Sequence, residues 1–91
     1  MEFAWDEKKR RANIFQHGFD FVDAAEVFEG IIFTFEDDRF DYGEERFITL
    51  GLLKGTIVAI AHTEKNNEIR IISMRKGTRH EQEIYFEAFT D

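Results

Sequence analysis

Ninety-one residues carry twelve Lys/Arg against nineteen Asp/Glu, a net charge of −7, with no cysteine and eleven phenylalanines. A chain of this length reads as one domain, 1–91, burying roughly 60–65% of its unfolded surface. The lack of cysteine excludes a disulfide framework, a thiolate metal site and a thiol nucleophile, and the acidic balance disfavours general nucleic-acid binding, which relies on cations displacing counterions.

The opening Met-Glu-Phe-Ala-Trp-Asp has no charged n-region and no apolar core, so no signal peptide is expected. Its polar–apolar alternation over Glu2–Trp5 predicts a short strand. Asp6 is placed to cap a basic helix over 7–17, with Ala12, Ile14 and Phe15 facing inward and Gly18 at its C-terminal end. Asp20 caps a second helix that buries Ala24, Ala25, Val27 and Phe28 and closes at Gly30. Ile31–Phe35 is a β-branched and aromatic strand. An acidic loop follows over Glu36–Glu45, read as solvated or as a docking surface for a basic partner.

Arg46–Leu53 and Thr56–Thr63 form two strands joined by a tight turn at Lys54-Gly55. The run Gly-Thr-Ile-Val-Ala-Ile-Ala within them is far too short to span a membrane, so a soluble, cytoplasmic chain without membrane contact is expected. Lys65-Asn66-Asn67 turns the chain into a last strand, Glu68–Met74. Thr78 and Glu81 have the spacing of a capping box, opening a helix over 79–89 with Ile84, Tyr85 and Ala88 inward. The order β-α-α-β-β-β-β-α predicts an α+β fold with a largely antiparallel sheet packed on helices.

The charge is unevenly placed. Residues 1–45 hold five cations against thirteen acids, whereas residues 65–80 hold five cations against Glu68 alone. Arg70, Arg75, Lys76 and Arg79 therefore gather at one strand-to-helix junction. Guanidinium groups suit phosphate because their planar fork donates two hydrogen bonds and stays charged. Strict alternation puts Arg70 on one face with Ile72 and Met74, and Arg75 on the other, with a kink at the strand end needed to bring them together. The plain alternative is solvated charge flanking a strand. His62, Glu64 and Lys65 end the neighbouring strand, where a four-residue turn brings them near Arg70. A histidine beside a carboxylate can move protons near neutral pH, although a half-buried strand-end histidine fits the spacing too. Lys9, Asn13 and His17 share a helical stripe, which a polar helix face also explains. No glycine-rich phosphate loop, metal-ligand spacing or nucleophile elbow is present, and no metal or cofactor is expected.

The segments Phe3-x-Trp5-Asp6-x-x-Lys9-x-x-x-Asn13-x-x-x-His17-Gly18, Ala24-Ala25-x-Val27-Phe28, Glu45-Arg46-Phe47-x-x-x-Gly51, His62-Thr63-Glu64 and Ile69-Arg70-Ile71-Ile72-Ser73-x-Arg75-Lys76 together resemble the BrnT toxin family over nearly the whole chain. The resemblance implies a type II toxin of RelE-like fold that cleaves RNA and is neutralised by a BrnA-type antitoxin. That antitoxin carries a ribbon-helix-helix DNA-binding domain, so contact with DNA would be indirect. Carried over to this chain, the resemblance implies Arg75, Arg70 and His62 as site residues. On that footing the chain is read as a metal-independent endoribonuclease working by 2′-OH attack, with Glu64 or Lys65 joining His62 in moving protons and Arg46 adding a phosphate contact. Lys65 stands where many members have arginine, Gly77 where alanine is usual, and the acidity is unusual for a ribonuclease. A catalytically weak antitoxin-binding co-repressor of the same fold is the alternative.

Overall fold

The computed structural model describes residues 1–90. It contains β1 (Glu2–Ala4), α1 (Glu7–His17), a single 3-10 turn (Phe21–Asp23), α2 (Ala24–Glu29), β2 (Ile32–Glu36), β3 (Phe47–Leu53), β4 (Thr56–Lys65), β5 (Glu68–Lys76) and α3 (Arg79–Ala88). The expected order of strands and helices is met. The five strands form one sheet in the order β1-β5-β4-β3-β2, antiparallel except for the parallel β1–β5 pair.

Local chemistry accounts for the punctuation. The Asp6 carboxylate accepts hydrogen bonds from the Lys8 and Lys9 backbone N–H groups, at 2.8 and 3.2 Å, satisfying donors that α1 leaves free. Gly18 ends α1 with φ +76°, a backbone that favours glycine. Positive φ angles at Lys54 and Gly55, and again at Asn66 and Asn67, are those of the tight turns that match hairpin twist. Thr78 and Glu81 form the expected reciprocal cap at the start of α3.

The sheet carries a core on each face. On one, Phe21, Ala24 and Val27 pack against Val58, Ile60, Ile69, Ile71 and Met74. On the other, Tyr85 of α3 packs against Ile48, Leu50, Ile57 and Ala59. Each large side chain so buried contributes on the order of 1.5–3 kcal/mol. Gly51 lets α2 approach, since a Cβ there would come within 2.7 Å of the Val27 side chain.

Several inward faces differ from the sequence expectation. The buried residue of α1 is Asn13, whereas Ala12 and Ile14 are exposed and Phe15 is 93% exposed. The reason lies on β5. Beyond its short pairing with β1, that strand has an open edge, and the Asn13 amide closes it. It accepts from the Met74 N–H at 3.1 Å and donates to the Met74 and Phe19 carbonyls at 2.8 and 2.9 Å. Asp20 caps the 3-10 turn that precedes α2, and both of its carboxylate oxygens accept from Arg10. Ala88 faces solvent, and β5 runs two residues past Met74, so Arg75 and Lys76 lie on the strand.

Candidate active site

The arginines owe their placement to one irregularity. Ala61 pairs with Ser73 but His62 pairs with Ile71, so Ile72 is an extra residue, a β-bulge, on β5. The bulge shifts the side-chain phase by one. Ile69, Ile71 and Met74 consequently all face the α1–α2 core. Arg70, opposite Thr63, and Arg75, opposite Ala59, both face the α3 side. Strict alternation had separated them.

Loop 37–46 borders that face and is not simply solvated. Asp37 is buried; its carboxylate accepts two bonds from the Arg39 guanidinium, at 2.8 and 3.0 Å, and one from the Tyr42 hydroxyl at 3.1 Å. The hydrogen bonds from Arg39 are the largest influence on its acidity and hold its pKa down at about 2. Tyr42 in turn lies under the Arg46 guanidinium, 4.1 Å from ring centroid to Cζ. Arg46 donates to Glu44 at 3.2 Å, and Arg70 donates to both Glu44 oxygens at 2.8 Å. Desolvation opposes the charged form of Glu44, but the bonds from Arg46 and Arg70 outweigh it and lower the pKa.

Two clefts result. The larger, about 450 Å³, is lined by Glu44, Thr63, Glu64, Lys65, Glu68 and Arg70. Around it the structure brings together four of the six residues expected in the site: Arg70, Lys65 and Glu64 on its wall, and Arg46 through the shared Glu44. Arg75 lines a second cleft of about 280 Å³ with Arg39, Asp38 and His80. It is engaged bidentately by Glu81, at 2.6 and 3.0 Å, and this contact raises its pKa further.

His62 is not brought into either cleft. Its side chain is 0% exposed and points into the opposite core, edge-on to Phe28 and stacked with Phe47. Nε2 is paired with the Thr49 hydroxyl at 2.7 Å, and that hydroxyl with Thr34 at 2.7 Å. Nδ1 has no hydrogen-bond partner among the described residues and lies 4.0 Å from a Glu64 carboxylate oxygen. Desolvation lowers the pKa of the ring to about 4, so it is neutral at physiological pH. Lys9 and His17 are exposed, while Asn13 serves the fold.

Sequence reasoning overlooked Glu44, Arg39, Tyr42 and His80. The one signal for Glu44 is its position two residues before Arg46. Among the described residues no group of three His, Cys, Asp or Glu is arranged to hold a metal ion, and no helix is long and apolar enough to cross a membrane.

No curated protein matches the chain. A family model described as the ribonuclease toxin BrnT of type II toxin–antitoxin systems matches residues 5–81, most of the chain. That match spans α1 through the start of α3, and so takes in the larger cleft, loop 37–46, and Arg75, His80 and Glu81 of the second cleft. The chain therefore belongs to the BrnT family of ribonuclease toxins of type II toxin–antitoxin systems.

Proposed function

We propose that this chain is a RelE-like, metal-independent endoribonuclease toxin, one domain acting in the cytoplasm and neutralised by a BrnA-like antitoxin whose ribbon-helix-helix domain binds operator DNA. The observation that carries this reading is the anion already seated between two guanidiniums, the Glu44 carboxylate held by Arg46 and Arg70. A backbone phosphate of RNA has the same charge sign and likewise offers two acceptor oxygens. It would take the place of Glu44 when loop 37–46 gives way.

The chemistry follows from what lines the larger cleft. The ribose 2′-OH attacks the adjacent phosphorus while Glu64 takes its proton. The O2′–P bond forms, the P–O5′ bond breaks, and the leaving 5′ oxygen takes a proton from Lys65. The products are a 2′,3′-cyclic phosphate and a 5′-OH. Arg70 and Arg46 stabilise the charge growing on the non-bridging oxygens. Arg75, on the same face of β5, meets a neighbouring phosphate. His62, buried with its Nδ1 4.0 Å from the Glu64 carboxylate, does not touch RNA.

The test is RNA integrity after the protein is induced alone. Arg70→Ala should lower the cleavage rate by roughly 10²-fold or more. Intact RNA and unchanged growth with the folded wild-type protein would overturn the reading.

The pairing of the arginines with acids favours a second reading, in which the chain is a weak nuclease kept as an antitoxin-binding co-repressor. Glu44 neutralises Arg70, Glu81 neutralises Arg75, and the chain carries −7 overall. Arg75→Ala separates the two: toxicity is lost under the first, and repression by the complex is untouched under the second.

A further inference from the structure

Apart from the clefts there is the outer edge of β2. It ends the sheet, and no described residue pairs with its free side. The register of Ile32–Glu36 against β3 continues to the Asp37 N–H, which donates to the Arg46 carbonyl at 2.8 Å. Antiparallel pairs alternate between bonded and non-bonded. Phe33 and Phe35 are therefore in bonded pairs, and the backbone N–H and C=O groups of Ile32, Thr34 and Glu36 point outward, unpaired. An open strand edge is a template for another chain unless something blocks it. Among the described residues, none covers it.

The two ends of this edge differ in chemistry. At its start, Ile31, Phe86 and Phe89 are all exposed and surround Tyr85. The Tyr85 ring lies 5.6 and 5.0 Å from those of Phe86 and Phe89, and its hydroxyl donates to the Ile31 carbonyl at 2.8 Å. Exposed apolar side chains gathered beside an open strand edge are what a partner chain would cover. Past its end, Asp38, Asp41 and Glu45 are exposed and, with Glu36, make no ion pair among the described residues. The same loop carries Glu44 into the larger cleft.

We infer that the antitoxin docks by adding an extended segment to β2, with apolar side chains on the Ile31–Phe86–Phe89 cluster and basic side chains against loop 37–46. The partner's existence rests on membership of a toxin–antitoxin family, and its basic, partly apolar character on complementarity to these two ends. A strand laid along β2 leads from the apolar anchor to the loop that guards Arg70. Binding there would hold that loop closed, and neutralisation would need no direct contact with the arginines.

The experiment is amide hydrogen exchange on the chain alone and co-expressed with a BrnA-type antitoxin. The expected result is slowing by about tenfold or more at Ile32, Thr34 and Glu36 only in the complex. Glu36→Pro removes an outward N–H and leaves the β2–β3 ladder intact. Phe86→Asp places a charge on the apolar cluster. Each should weaken the complex at least tenfold while the free chain keeps its fold and its RNA cleavage. Complex formation with the edge still exchanging freely overturns the docking site and leaves the toxin reading standing. Concentration-dependent protection in the chain alone assigns the edge to a second copy, and protection by RNA alone assigns it to substrate; either overturns the inference. Failure to form any complex overturns it too, and if RNA also stays intact the toxin reading falls with it.

Discussion

At the scale of single residues, the polar side chains that looked functional divide by where their hydrogen bonds end. Asn13 was one of three polar residues on a helical stripe, and that stripe is as compatible with a site as with a wet helix face. Its amide turns out to satisfy both backbone groups of Met74. Asn13→Ala removes three hydrogen bonds and leaves a buried strand edge unpaired, at a cost of about 2–3 kcal/mol in unfolding free energy, measured by denaturant titration. A change below about 0.5 kcal/mol would mean that water replaces the amide. Phe15 shows the reverse case. Helical spacing assigned it to the core, but the face of α1 turned to β5 is chosen by the hydrogen bonds of Asn13, and Phe15 is left in solvent.

At the scale of elements, loop 37–46 and the β5 bulge decide the geometry of the site. Composition marks the loop as acidic and solvated, yet Asp37 and Glu44 are consumed internally by Arg39, Arg46 and Arg70. Such pairings join residues two to twenty-six positions apart, which residue counting cannot see. Asp37→Ala removes the two bonds to the Arg39 guanidinium and the one to the Tyr42 hydroxyl. Because Arg39 is itself mostly exposed, the global cost is discounted to about 1 kcal/mol. The larger effect is local: amides of residues 38–46 should exchange faster, and RNA cleavage should fall as Arg46 loses its support from Tyr42. Unchanged exchange in the loop would count against the clamp. The bulge at Ile72 has no marker in the sequence, since Ile-Arg-Ile-Ile-Ser-Met alternates acceptably in either phase. Register with β4 selects the phase that buries Ile71 and Met74, and the two arginines are carried to the other face as a consequence.

At the scale of the whole molecule, His62 links stability to pH. Its folded pKa of about 4 lies below the ordinary imidazole value of about 6.5, so the unfolded chain binds the extra proton first as pH falls. Stability from this group is fully present above about 6.5 and is lost down to about 4, amounting to roughly 3 kcal/mol at pH 4. Asp37 contributes in the same direction at lower pH, between the ordinary carboxylate range and about 2. Thermal unfolding from pH 7 to pH 4 should show this slope, and His62→Gln should flatten it; an unaltered slope would place the titrating group elsewhere. The element order, both hairpin turns, the caps and the family were legible in the chain because each depends on residues within a few positions of one another, or on motifs read in series. The same locality located the cation-rich strip at 65–80. What only the tertiary structure decided is which of those residues share a space: Arg70 with Lys65 and Glu64 in one cleft, Arg46 tied to it through Glu44, Arg75 in another cleft, and His62 on the far side of the sheet. Those outcomes are set by strand register and by competition for buried hydrogen-bond partners across the sheet, and neither is a local property of the chain.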